Sequence, residues 1–184
     1  MALSSKRKIS IFIVVLLGFI GFLVAGLNSQ QFGPHSTPVV RAFPVMAVEL
    51  LDGNNDVQTS LLFKNDYQLV NVWASWCGVC KQEHAYLNQL EKSGIPIVGL
   101  NYRDQGSGAL NYLGHLGNPY REVIFDPKGR LALDLGVVGT PETYLVNKQG
   151  DIIYKHLGVL NERVWNKYFT QYFQLGESEA YGNK

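Results

Sequence analysis

Apolar residues recur along this chain in three rhythms. The first is an unbroken block: Ile9 to Leu27 (ISIFIVVLLGFIGFLVAGL) has nineteen residues with one hydroxyl and no charge. The second is a series of short runs. Gln68 to Trp73 (QLVNVW) and Ile95 to Leu100 are dense enough for strands buried on both faces. Val45 to Leu51, Glu122 to Phe125, Glu142 to Val146 and Ile152 to His156 are further strand candidates. Turn sequences such as Asp52-Gly53-Asn54 and Asp126-Pro127-Lys128-Gly129 bound them. Asn147-Lys148-Gln149-Gly150, between the last two, predicts a hairpin. The third rhythm is the three- and four-residue spacing of helices. Gly78 to about Lys92 carries Cys80, Glu83, Leu87 and Leu90 on one stripe, and Gly94 closes it. Gly108 to Leu116 predicts a second helix. Asn161 can cap a last one running to about Phe173, with Val164, Trp165 and Tyr168 inward. The order is strand, helix, strand, helix, strand, hairpin, helix. It predicts an α/β domain whose central sheet is mixed, parallel at its start and antiparallel at its end, with helices on both faces.

The long apolar block changes the topology of the whole chain. As a helix it would reach about 28 Å, close to the ~30 Å hydrocarbon core of a bilayer. Lys6, Arg7 and Lys8 precede it, and positive residues stay on the cytoplasmic side. Residues 1–8 are therefore expected inside, 9–27 as a transmembrane anchor, and the rest exported. The rival is a cleaved signal peptide, whose apolar stretch runs to about 7–15 residues before a small-x-small site. This block is longer, and Val24-Ala25-Gly26 is a weak cleavage site. No cysteine follows the block, so nothing supports a lipid-linked N-terminus. Residues 28–38 are rich in Asn, Ser, Gln, Gly and Pro and read as a linker, which leaves 39–184 as the folded domain.

Composition narrows the function. Apolar residues make up 46%, as in ordinary globular chains. Net charge is +1, but setting aside Lys6, Arg7 and Lys8 leaves thirteen basic residues against fifteen acidic ones. A mildly acidic domain without a basic stripe excludes nucleic acid as the expected partner. The only two cysteines, Cys77 and Cys80, are too close to staple distant segments, and so are expected to react rather than to brace. A structural zinc site needs about four ligands, and His35, His84, His115 and His156 are scattered; no metal is expected. Covalent haem attachment needs His directly after the second cysteine, where Lys81 stands.

Cys77 falls where a buried strand gives way to a helix start. Free backbone N–H groups and the positive end of the helix dipole favour thiolate over thiol there. Cys80, one turn on, is placed to displace a mixed disulfide. The pair reads as attacking and resolving thiols, and the Cys77–Cys80 disulfide is the only redox group expected, with no separate cofactor. Thr140-Pro141 comes just before a strand. A cis bond there would hold an extended edge beside the disulfide for a substrate chain; the plainer reading is a strand start. Glu83, a turn after Cys80, could relay protons or tune the thiols, or be a solvated helix carboxylate. Glu142 could line a substrate groove or be an ordinary strand residue. Trp73 is expected in the core, and Trp76 is expected to shield the cysteines and touch substrate. His84 and Trp165 are expected to pack.

The run Asn71 to Leu90, NVWASWCGVCKQEHAYLNQL, resembles the thioredoxin-like proteins of cytochrome c maturation, the DsbE/CcmG family. IVGLNYRD (Ile97 to Asp104) and LGVVGTPETYLVNKQG (Leu135 to Gly150) fit the same pattern in order and spacing. The resemblance extends from about Phe43 to Trp165. Cys-x-x-Cys alone would point only to the superfamily, whereas Gly-Val-x-Gly-x-Pro-Glu-Thr is far more specific. The resemblance implies a thioredoxin-like fold, an exposed nucleophile at Cys77 with Cys80 as its partner, a cis Pro141, and Glu83 and Glu142 in an acidic active-site region. It implies a periplasmic domain on a bacterial inner membrane that keeps the haem-binding thiols of apocytochrome c, or of another maturation protein, reduced. Electrons would come from a membrane thiol-reductant transporter, and the N-terminal helix would meet lipid. Thr140 before the proline and Gly78-Val79 between the cysteines are positions where that family varies, so the reduction potential stays open. The alternatives are a general periplasmic disulfide oxidoreductase and a non-enzymatic copper(I)-binding or docking module.

Overall fold

The computed structural model describes residues 7, 13–22, 36–53 and 56–173. The chain divides into two compact units, Met1–Gly33 and Pro34–Lys184. In the first, residues 13–22 are helical. The other positions of the expected 9–27 anchor lie outside the described residues. Among those described, no helix is long and apolar enough to cross a membrane.

The second unit is built on one eight-stranded sheet. Its strands are β1 (Ser36–Ala42), β2 (Ala47–Leu50), β3 (Asp56–Gln58), β4 (Tyr67–Trp73), β5 (Ile97–Tyr102), β6 (Glu122–Asp126), β7 (Glu142–Asn147) and β8 (Asp151–Leu157). They lie in the order β1-β8-β7-β4-β5-β6-β2-β3. β4, β5 and β6 are parallel, and β7 and β8 return antiparallel as the expected hairpin. The helices are α1 (Cys80–Lys92), α2 (Gly106–Leu116), α3 (Arg130–Asp134) and α4 (Glu162–Tyr168), with a 3-10 turn at Thr59–Leu62.

The alternation of β4 divides the core. Leu69 and Trp73 join a cluster with Leu87 and Leu90 of α1, Tyr112 and Leu113 of α2, and Val164 and Trp165 of α4. Val70 and Val72 join the opposite cluster, with Leu131 and Ala132 of α3. Successive strand residues face opposite sides, so one run of seven residues serves two cores. Asn161 caps α4 as expected, its Oδ1 accepting the Val164 N–H at 3.0 Å. The helix ladder breaks at Phe169 and resumes over 170–173.

Three strands or helices depart from the sequence expectation: the three-residue β3, β1 and α3. β1 begins at Ser36, inside the stretch assigned to the linker, and pairs antiparallel with β8 with a register shift between Pro38 and Arg41. Pro38 masks it in sequence, but an edge strand tolerates proline because one side of its ladder is free. α3 is five residues long, too short to show a period; Asp126 nucleates it by accepting the N–H groups of Arg130 and Ala132 at 2.8 and 2.9 Å. The site lies at the C-terminal ends of the parallel strands, where β4 leads into α1.

Candidate active site

Cys77 and Cys80 form a disulfide across the turn between β4 and α1. The helix ladder starts at Cys80 rather than Gly78, and its N-cap, Val79, offers no side-chain cap. The Cys80 N–H instead points at Cys77 Sγ, 3.1 Å away. A helix N-terminal amide aimed at this sulfur favours its anionic form once the bond is reduced. Both cysteines are buried, Cys80 at 2% exposure and Cys77 at 5%. Cys77 is therefore not the exposed nucleophile that the resemblance implies, but is nearly covered in the disulfide form. Trp76 is 59% exposed and stands at the rim, with its indole N–H donated to the Arg103 carbonyl at 3.0 Å.

The Thr140-Pro141 bond is cis. The Thr140 carbonyl oxygen lies 3.8 Å from Cys77 Sγ, although 63 positions separate the residues. The disulfide sulfur carries no hydrogen, so this is a close approach and not a hydrogen bond. Glu142 does not line a groove: it is 1% exposed. Its Oε1 accepts the Val138 and Gly139 N–H groups at 2.7 and 3.1 Å. Its Oε2 accepts the Tyr144 hydroxyl at 2.7 Å and lies 3.0 Å from Lys155 Nζ. The inward carboxylate is satisfied by the loop that precedes it.

Glu83 is no solvated helix carboxylate either. It sits on the buried stripe of α1 at 1% exposure. Asn71 Nδ2 donates to its Oε1 at 2.8 Å, and the Leu160 N–H donates to its Oε2 at 2.6 Å. Burial is the largest influence and pushes its pKa up from 4.5 to about 7, against those two hydrogen bonds. Asn71 also donates to Thr143 Oγ1 and accepts from the Tyr120 hydroxyl, so one amide links β4, β7, α1 and the segment before β6. His84 packs on the edge of Tyr112 with Nε2 2.9 Å from the Gly117 carbonyl, and burial pushes its pKa down. Trp165 is buried in the core.

Sequence reasoning passed over three contributors. Asp104 binds the turn before Cys77 by accepting from Ser75 N at 2.5 Å and Ser75 Oγ at 2.8 Å. It also accepts from Asn101 Nδ2 at 2.9 Å and Gln105 N at 2.7 Å. Partial burial pushes its pKa up, but these hydrogen bonds outweigh it and hold the group below its ordinary value. Its signal was its place at the end of IVGLNYRD. Asn71 was visible as an amide in the middle of an apolar strand. Lys155, on alternating β8, gave no signal. Among the described residues, no group of three or more His, Cys, Asp or Glu could hold a metal ion.

The Redoxin family profile matches residues 37–170. The thiol:disulfide interchange protein DsbE of Vibrio cholerae is 38% identical over 181 residues, spanning 96% of this chain and 98% of that one. DsbE of Escherichia coli K12 is 38% identical over 182 residues, spanning 95% and 98%. The chain belongs to the DsbE family. Among solved structures, a putative DsbE from Chlorobium tepidum superposes with TM-score 0.62 at 25% identity, covering 74% of this chain and 95% of that one. A secreted thiol-disulfide isomerase from Corynebacterium glutamicum superposes with TM-score 0.64 at 21% identity, covering 78% and 95%, and shows the shared fold. This DsbE-family chain is a thiol–disulfide oxidoreductase of thioredoxin-like fold. The site combines a sulfur that faces a helix start and a backbone carbonyl with a buried carboxylate of raised pKa, Glu83, three residues after Cys80 on α1.

Proposed function

We propose that the domain works outside the cytoplasm, on the periplasmic side of an inner membrane, anchored there by residues 9–27. Its task is to keep the haem-binding Cys-x-x-Cys-His thiols of apocytochrome c reduced. The observation that carries this reading is the Gly-Val-x-Gly-x-Pro-Glu-Thr loop lying against the nucleophile, with Thr140 O 3.8 Å from Cys77 Sγ. That stretch is the most specific part of the resemblance to the cytochrome c maturation proteins. An extended substrate peptide would pair its main chain with the edge at Thr140 while its disulfide meets Cys77.

The reduced Cys77 thiolate attacks one substrate sulfur, forming a mixed disulfide and releasing the other substrate sulfur as a thiolate. Glu83, on the turn after Cys80, takes the Cys80 proton. The Cys80 thiolate then attacks Cys77 Sγ, releases the second substrate thiolate and closes the Cys77–Cys80 disulfide. Two electrons pass to the substrate, whose two thiolates take up two protons. A membrane thiol-reductant transporter then reduces the Cys77–Cys80 bond. Trp76, at the rim, contributes an apolar surface to the substrate chain.

The reduction potential of the Cys77–Cys80 pair tests the direction. A reductant is expected near −270 mV or below, and a general oxidant near −120 mV; the gap of about 150 mV is ~7 kcal/mol for two electrons. A value near −120 mV would replace this reading by that of a general disulfide-forming oxidoreductase.

A further inference from the structure

Lys155 stands on β8 opposite Tyr144 of β7. Its stem carries the ammonium over the Tyr144 ring, 5.2 Å from the centroid. From there Nζ donates to the Gly136 carbonyl at 2.9 Å and pairs with Glu142 Oε2 at 3.0 Å. Gly136 and Glu142 bracket the loop that holds Thr140. Glu142 in turn accepts the loop amides of Val138 and Gly139. Arg41 donates to the carbonyl of Leu135, just before the loop. The side chains of Lys155 and Glu142 are only 15% and 2% exposed, so water is a poor substitute for either partner.

We propose that Lys155, acting through Glu142 and the Gly136 carbonyl, is a positioning residue that holds the Thr140 edge in register with Cys77 and so sets the preference for polypeptide disulfides over small ones. The proposal rests on the substrate edge described above. Without the ammonium, the exposed Gly136 O can turn to water, but the buried Glu142 carboxylate loses its counter-charge. The loop then shifts to expose that carboxylate, and the Thr140 edge moves away from Cys77. A small disulfide needs only the thiolate, whereas a peptide also needs the edge.

The test uses the reduced chain with two substrates: an oxidised Cys-x-x-Cys-His peptide and 5,5′-dithiobis(2-nitrobenzoate). Losing one charge-assisted hydrogen-bonded pair in Lys155→Met should lower the ratio of peptide rate to small-disulfide rate about tenfold. The loss should appear mainly as a higher half-saturating peptide concentration, and amide exchange at Val138 and Gly139 should speed up. Lys155→Arg, which keeps the charge and the donors, should restore the ratio. If Lys155→Met does not fold, Lys155→Gln carries the same comparison. An unchanged ratio in the folded variant, or no rescue by Arg, overturns the positioning role. If the unaltered chain itself fails to prefer the peptide, the substrate edge at Thr140 falls first, and that outcome is distinguishable because no variant is involved.

Discussion

Glu83 is a buried carboxylate whose proton ties folding stability to pH and, in the proposed mechanism, takes part in the exchange. Its folded pKa, about 7, lies above the free value of 4.5, so the folded chain holds the proton more tightly. Its contribution is therefore complete at pH below 4.5 and declines as pH rises through the interval to 7. Between pH 5 and pH 8 the unaltered chain should lose up to about 3 kcal/mol of stability relative to Glu83→Gln. Urea unfolding of both proteins across that range measures it, and parallel pH profiles would contradict the assignment. The same variant should slow disulfide exchange at neutral pH by about tenfold or more, as loss of a proton acceptor does. The sequence already placed Glu83 on the stripe with Cys80, Leu87 and Leu90, which was the readable part. The Leu160 N–H that makes burial tolerable comes from 77 positions away, and no local pattern announces it. Glu142 was harder still. Its neighbours on β7 are buried on both faces, so alternation did not say whether its carboxylate faced solvent or the loop behind it.

At the scale of elements, the site is the junction of β4 and α1 held against two loops. The Asp104 loop fixes the turn from the front: Ser75 and Asn101 converge on one carboxylate. Asp104→Ala should cost about 1–3 kcal/mol in chemical unfolding, because it leaves the Ser75 amide and hydroxyl without their acceptor. It should also lower the exchange rate by loosening the approach to Cys77. Its pKa is depressed in the folded chain, so its contribution is present above the free value of 3.8 and is lost as pH falls through the lower folded value. An acid-unfolding curve that does not change between the two proteins would remove this role. The elements that carry the site were legible because their signals are strong: the dense apolar strands β4 and β5, and the stripe and Gly94 stop of α1. β1 and α3 were not legible. A proline-bearing edge strand and a five-residue helix carry too few periods, and both are held by partners distant in sequence.

For the molecule as a whole, the parallel run β4, β5, β6 and the antiparallel finish β7, β8 read from element order are observed. The strands that precede them, β1 to β3, pair antiparallel, so the sheet is not parallel at its start. The strand order beyond β6, where β2 and β3 extend the sheet, depends on pairings that no local pattern fixes. The unit Pro34–Lys184 contains every residue of the site. A chain starting at Pro34 should therefore fold and exchange disulfides in solution. The full chain should stay in the membrane fraction after a carbonate wash; its release would contradict the anchor. The proposed attack of Cys77 on the haem-binding cysteines of apocytochrome c can be trapped. Cys80→Ser leaves Cys77 without a resolving thiol, so the mixed disulfide should accumulate. In cells making c-type cytochromes, the captured partner should be joined through Cys77 to a cysteine of a Cys-x-x-Cys-His segment. Capture of only unrelated proteins would rule out apocytochrome c as the substrate, and an equal yield from Cys77→Ser through Cys80 would rule out Cys77 as the attacking thiol.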